Sequence, residues 1–142
     1  MKRFSTTWML AIVAVFAVVL SGCTKEKTNT ELLTEFTWEY DAVSGDALTA
    51  DQLALLQTLL TGSTITFNED GSSVAVASFF GVPSTTEGTW RFNDDETAII
   101  SDEGTADEST IEIITLEEGV LEVGENDPDF GDFVLRYTHD GE

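Results

Sequence analysis

Four carboxylates lie close together near the C-terminus, in a loop rich in turn-forming residues. They are Glu125, Asp127, Asp129 and Asp132. Alternating side-chain oxygens in a short loop are the ligands that Ca²⁺ prefers. The EF-hand pattern is incomplete, because Phe130 occupies the position that requires glycine and Arg136 the position that requires glutamate. The loop is therefore only a weak calcium candidate, and we expect neither a metal nor another cofactor.

Catalytic groups are scarce in this chain. His139 is the only histidine, and its place three residues from the C-terminus predicts a frayed tail. The sequence contains no nucleophile elbow, no zinc-protease helix, no P-loop and no glycine-rich dinucleotide turn. The paired acids Asp94-Asp95 and Asp107-Glu108 fall in predicted turns rather than facing each other across a cleft. We therefore expect a protein that is not an enzyme.

The N-terminal segment ends at Cys23, the only cysteine of the chain. Lys2 and Arg3 precede an unbroken apolar run, Trp8–Leu20, which is shorter than the about twenty residues that span a bilayer. A short positive segment followed by such a run and by small residues is typical of a secretion signal. The small residues here are Ser21-Gly22, directly before the cysteine.

The run Leu20-Ser21-Gly22-Cys23 resembles the lipobox of bacterial lipoproteins. The resemblance implies that residues 1–22 are removed and that Cys23 receives a diacylglyceryl group and an acyl chain such as palmitate. Several acyl chains on one residue anchor a protein stably, at about 0.8 kcal/mol per buried methylene. We therefore expect the membrane as a partner and the bacterial cell envelope as the location, lipid-anchored to the outer membrane on its periplasmic face or at the cell surface. The alternative is an ordinary secretion signal with an incidental cysteine.

The charge of the chain is strongly negative, with a formal net charge of −21. Of its 27 acidic residues only Glu26 precedes residue 31, whereas Arg91 and Arg136 are the only basic residues after that point. Such a surface repels nucleic acid, which requires positive charge. We read the acids mainly as a solvated surface and expect both arginines in ion pairs, with carboxylate-ligand binding as the alternative.

The elements of residues 31–142 follow a two-residue period that is typical of half-buried strands. Turn-forming pairs such as Asp70-Gly71 and Glu118-Gly119 separate consecutive strands and favour sequential hairpins. The pattern predicts an all-β domain, an up-and-down antiparallel barrel of about eight strands. The predicted strands are 36–41, 64–68, 73–80 with Val74 and Val76 on one face, 89–92, 97–101, 110–116, 120–123 and 133–138.

One segment between the first two strands has helical rather than strand spacing. Leucines recur through Leu48–Leu60 at intervals of three and four, which predicts a short amphipathic helix that covers one barrel end. Thr49 and Gln52 form a capping box, and Gly62 suits the position after the helix. Before the domain, residues 23–30 comprise the lipidated cysteine and a polar stretch that we read as a flexible tether.

Two sequence segments resemble those of a known protein family. Ile65–Gly71 is a strand that runs into an Asp-Gly turn, and Gly88–Asp95 carries a Gly-x-Trp strand. With the lipobox and the aromatic first strand, they resemble the lipocalin-like domain of small bacterial envelope lipoproteins. The resemblance implies a β-barrel that binds a small apolar ligand, although it names no ligand or protein partner.

Two interpretations of the barrel interior remain open at this point. Seven aromatic residues face inward by the strand period and are candidates for binding the ligand: Trp38, Tyr40, Phe67, Trp90, Phe92, Phe133 and Tyr137. They line a cavity if the interior is open, and tyrosine hydroxyls or indole N–H groups then orient the ligand. They pack against one another if the interior is filled, and the domain is then a structural or protein-interaction module of the envelope.

Overall fold

A computed structural model describes residues 25–79 and 81–139. The predicted architecture is confirmed, since eight antiparallel strands close into a barrel in sequence order, with the first paired to the last. The strands are β1 Thr37–Ser44, β2 Thr64–Phe67, β3 Ser72–Phe79, β4 Val82–Phe92, β5 Ala98–Ser101, β6 Ser109–Glu117, β7 Val120–Asp127 and β8 Gly131–Thr138, and the helices are α1 Asn29–Thr34 and α2 Ala50–Leu60. The predicted signal peptide and Cys23 lie outside the described residues.

The hairpin turns depend on the residue types that the sequence offers. Between β2 and β3, Gly71 has a φ of 84° and Asp70 Oδ1 accepts a hydrogen bond from the Ser72 amide at 2.9 Å. Between β6 and β7, Gly119 has a φ of 85°. Left-handed backbone of this kind favours glycine, because a Cβ atom would crowd the chain. Short turns of this kind connect neighbouring strands directly and give the meander.

The helix α2 forms where the leucine spacing predicts it. The Thr49 hydroxyl accepts from the Gln52 amide at 3.3 Å, and Gln52 Oε1 accepts from the Thr49 amide at 2.9 Å, so the capping box is complete. Gly62 follows the helix with a φ of 79°. Leu56 is the buried residue of the helix, which packs against β1 and β3.

Replacing Thr49 by alanine should lower the free energy of unfolding by about 1 kcal/mol, because the Gln52 amide at the start of α2 loses its side-chain partner. Urea denaturation of residues 24–142 measures the loss. Thr58→Ala is the control in the same helix, since the Thr58 hydroxyl only bonds back to the Ala54 carbonyl and alanine is the better helix former. Equal losses in the two variants would contradict the cap.

The helix α1 begins inside the segment that the sequence analysis assigns to a flexible tether. Thr28 and Glu31 form a second capping box, in which each side chain bonds the other residue's backbone. Leu33 on this helix is fully buried beneath the barrel end. The first helix and its cap therefore include residues 28–30 of the stretch that the sequence analysis interprets as a tether.

The position of His139 near the C-terminus predicts a frayed tail, but the structure packs its side chain against the barrel. Its ring stacks on Phe36 with 3.5 Å between ring centroids and an 8° interplanar angle, and it meets Trp38 edge-on at 6.0 Å. The C-terminal end of β8 is therefore part of the same closed barrel end as α1. Three aromatic residues and Leu33 seal that end.

Among the described residues, the core cluster and the residues packed against it lie between Leu33 and Tyr137, and the pairing of β1 with β8 closes the sheet within the same stretch. Residues 24–142 therefore contain all eight strands of the barrel. In the described part of the chain, neither helix combines the length and apolar character that crossing a membrane requires.

Candidate ligand-binding site in the barrel

The barrel has a packed half, which we call the floor, at the end where α1 lies. Six fully or almost fully buried residues form it: Leu33, Trp38, Phe67, Trp90, Ile99 and Leu121. The Trp38 indole N–H donates to the Leu33 carbonyl at 2.9 Å, and the Trp90 indole N–H donates to the Asn68 carbonyl at 2.9 Å. Because both N–H groups already have backbone partners, neither is available to orient a ligand.

Aromatic rings of the floor pack edge to face. The Phe67 and Trp90 ring centroids are 5.4 Å apart at 76°, and the Trp90 and Phe92 centroids are 5.4 Å apart at 88°. This geometry is the favoured arrangement for aromatic pairs. Three of the seven predicted ligand residues, Trp38, Phe67 and Trp90, thus belong to the packed floor. A fourth, the partly buried Phe92, packs against it through Trp90.

The other half of the interior, which we call the mouth, lies at the end of α2 and the β3–β4 turn. Strand register shows which side chains point inward: Ile65 pairs with Ala75, and Tyr137 pairs with the buried Leu121. Six inward residues of this half are only partly buried: Ile65, Ala75, Ile111, Ile113, Phe133 and Tyr137. The five larger residues of this set also pack against the core cluster, while each keeps part of its surface accessible.

Small side chains line one wall of this half. The inward positions of β3 and β4 here carry Ala75, Ala77 and Thr86, opposite the larger residues of β6 and β8. Beside the inward Gly88, the Asp102 carboxylate occupies the space that a side chain would take. In addition, β5 pairs with β4 only through Trp90–Phe92, so the earlier part of β4 has no β5 residue beside it. An eight-stranded barrel has room for one small ligand when its wall residues are this small.

The inner surface of the mouth includes the polar residues Tyr40, Tyr137 and Glu125. The Tyr40 and Tyr137 rings meet edge-on with centroids 6.2 Å apart, and the Tyr40 hydroxyl donates to Gln57 Oε1 at 3.0 Å. Glu125 pairs with Phe133 and lies two residues beyond the buried Val123, which places it on the inner face of β7. The sequence analysis treated Glu125 only as a metal candidate and did not place it in the barrel interior.

Burial changes the titration of these groups. Desolvation, and then the neighbouring Asp127 carboxylate, raises the pKa of Glu125 above its usual range. Desolvation, followed by the Glu125 and Tyr40 charges, raises the pKa of Tyr137 to about 12. The Tyr137 hydroxyl therefore remains protonated at neutral pH and is a hydrogen-bond donor inside the mouth.

Glu125→Gln should make the protein more stable at neutral pH. Because folding raises the pKa of Glu125, the folded state holds this proton at pH values where the unfolded state has lost it, and stability falls as pH rises through that interval. The Glu125→Gln variant has no carboxyl group to titrate, so its stability does not decrease over that pH interval. Because Glu125 is partly exposed, we expect its free energy of unfolding at neutral pH to exceed that of the wild type by less than about 1 kcal/mol. Urea denaturation from acid to neutral pH measures it. The same gain in the outer-face variant Glu112→Gln would instead indicate relief of overall negative charge.

The four calcium candidates do not converge. Asp127 Oδ1 accepts from the Asp129 and Phe130 amides at 2.8 and 3.1 Å, which stabilises the β7–β8 turn. Asp132 lies on the outer face, where it bonds the Asn126 side chain, whereas Glu125 faces inward. Among the described residues no group of three or more metal-ligating side chains forms.

A separate groove of about 880 Å³ lies on the outer wall across β6, β7 and β8. Outward residues such as Glu112, Ile114 and Val134 line it, together with Asp46 from the loop after β1. Glu125 and Phe133 also contribute to its lining. Its acidic and solvent-open lining lacks the enclosed apolar walls of a small-molecule site.

No protein-family model matches the chain, and no curated protein matches it. The seven predicted ligand residues divide between the two halves of the barrel, since Tyr40, Phe133 and Tyr137 line the mouth. The sequence analysis missed Glu125 and the small residues of β3 and β4, although the alternation of β7 after Leu121 contains the signal for Glu125.

Proposed function

We propose that this protein is a lipid-anchored envelope lipoprotein that binds a small apolar ligand in the mouth of its barrel. The observation that carries the binding proposal is the partial exposure of inward apolar residues, among them Ile111, Ile113 and Phe133, above a packed floor. Burying such surface against an apolar ligand contributes about 25 cal/mol per Å². Polar groups at the mouth then set the orientation of the ligand.

The anchor and the mouth lie at opposite ends in this proposal. Lys27 holds the start of the described chain at the floor, because its ammonium pairs with Glu35 at 2.5 Å and with Glu118 at 3.0 Å. The few residues between Cys23 and the Thr28 cap extend at most about 17 Å. An eight-residue strand is about 26 Å long, so the floor faces the membrane and the mouth faces away from it. The ligand then enters from the aqueous side.

Filling the mouth tests the binding proposal. Ala75→Phe places an aromatic ring on the inner face of β3, whereas Val74→Phe adds the same ring to the outer face one residue away. We expect saturable binding of decanol and decylamine to residues 24–142 by calorimetry, loss of it in Ala75→Phe and its retention in Val74→Phe.

Absence of ligand binding would indicate a filled barrel interior. If the mouth is already filled, neither probe gives saturable heat, and Ala75→Phe is overpacked and costs about 1–3 kcal/mol of stability. That result would favour the alternative, a structural or protein-interaction module of the envelope with a filled barrel. A stable Ala75→Phe variant that has lost binding supports the open mouth.

A further inference from the structure

The basic side chains of the described residues all lie outside the mouth. Arg91 faces outward and pairs with Glu103 at 2.6 Å, and Arg136 faces outward toward Asp41 at 3.3 Å. Lys25 and Lys27 precede α1, at the floor end. A ligand carboxylate in the mouth would therefore find no positive partner among the described side chains, in a protein whose net charge already repels anions.

The inner face of β7 offers the opposite charge. Glu125 points into the mouth, opposite Phe133 in the hairpin, and Tyr137 lies within range of its charge. Asp127, the next inward residue of β7, already accepts two backbone amides of the turn. Within the described part of the chain no side-chain or backbone donor bonds the Glu125 carboxylate, unlike Tyr40, which is bonded to Gln57. Glu125 is thus the acceptor that remains available beside the apolar wall.

We infer that the ligand of the mouth is an apolar molecule with a protonated amine, and that Glu125 is the residue that selects it. This inference rests on the proposed binding function. The apolar part contacts the wall residues Ile111, Ile113 and Phe133, while the ammonium pairs with the Glu125 carboxylate. A hydrogen bond between two charged groups is roughly twice as strong as one between neutral groups, and its strength increases away from bulk water. The acidic surface adds long-range attraction for cations as they approach.

Three probes with the same alkyl chain and different polar ends test the inference: decylamine, decanol and decanoate. Calorimetry with residues 24–142 in high salt, which screens the outer surface, should rank decylamine first and decanoate last. We expect about a tenfold difference in Kd between decylamine and decanoate, which corresponds to about 1.4 kcal/mol. Decanol, which lacks charge, should lie between them.

Two variants separate the mouth from the general acidity of the surface. Glu125→Gln should reduce the preference for decylamine over decanol several-fold while decanol binding stays the same. Glu112→Gln removes one charge from the outer face of the neighbouring strand and should keep the preference. Equal loss in both variants, or decanoate binding as tightly as decylamine, overturns the inference but leaves ligand binding in place. Absence of binding by all three probes overturns the proposed function itself.

Discussion

Trp38→Ala should be the most destabilising substitution in the barrel. Trp38 is fully buried in the floor, its indole N–H is bonded to the Leu33 carbonyl, and it meets Phe36 and His139 edge-on. Large-to-small substitution at such a position costs about 3–5 kcal/mol, a large fraction of the about 5–15 kcal/mol that stabilises a typical domain. Urea denaturation followed by circular dichroism measures the loss.

Two further variants make this expectation specific. Trp38→Phe retains much of the packing but loses the indole donor, so its cost should be smaller than that of alanine. Ile114→Ala removes an exposed apolar side chain and should change stability by less than about 0.5 kcal/mol. If Trp38→Ala costs no more than Ile114→Ala, the floor is not the stable centre of the fold.

Cys23→Ala should abolish acylation completely. Because the thiol is the acceptor of the diacylglyceryl group in the proposed maturation, alanine leaves no site for the lipid. Mass spectrometry of the membrane-extracted wild type should find a chain that begins at Cys23 with acyl mass added, and the variant should carry none. Ser21→Ala keeps a small residue before the cysteine and should be processed like the wild type. A wild-type protein with Met1 intact, or with an unmodified Cys23, would contradict the anchor.

The sequence predicts the barrel well because local signals agree with one another. Hairpin turns such as Asp70-Gly71 are chemically specific, and α2 has both its capping box and its final glycine. Each of these signals acts within a few residues, so no tertiary contact is needed to recognise it. The capping-box pattern also occurs at Thr28 and Glu31, where it marks the start of α1.

The inner surface of the mouth is harder to predict because both faces of β3 are free of charge. Val74 and Val76 share one face, as predicted, but that face is the outer one, and the smaller Ala75 and Ala77 point inward. Hydrophobicity alone favours the opposite assignment. The register with β2, which puts Ala75 beside Ile65, decides the matter through long-range pairing.

Glu125 illustrates the same limit for a functional residue. Its neighbours Asp127, Asp129 and Asp132 suggest a shared loop, yet the hairpin places Glu125 inside the barrel and Asp132 outside. The alternation from Leu121 through Val123 fixes this direction only once the strand is known to continue to Asp127. The length of β7, rather than the residue types, therefore decides whether Glu125 belongs to a metal-binding loop or to the inner face of the barrel.

The most direct test of the central claim is a nuclear magnetic resonance titration of isotopically labelled residues 24–142 with decylamine. An open mouth predicts saturable shifts of the Ala75, Ile111 and Ile113 methyl signals, with little change at Leu33 and Leu121 in the floor. Shifts confined to the outer residues Ile114 and Val134, or no saturable shift at any methyl group, would contradict a ligand site inside the barrel.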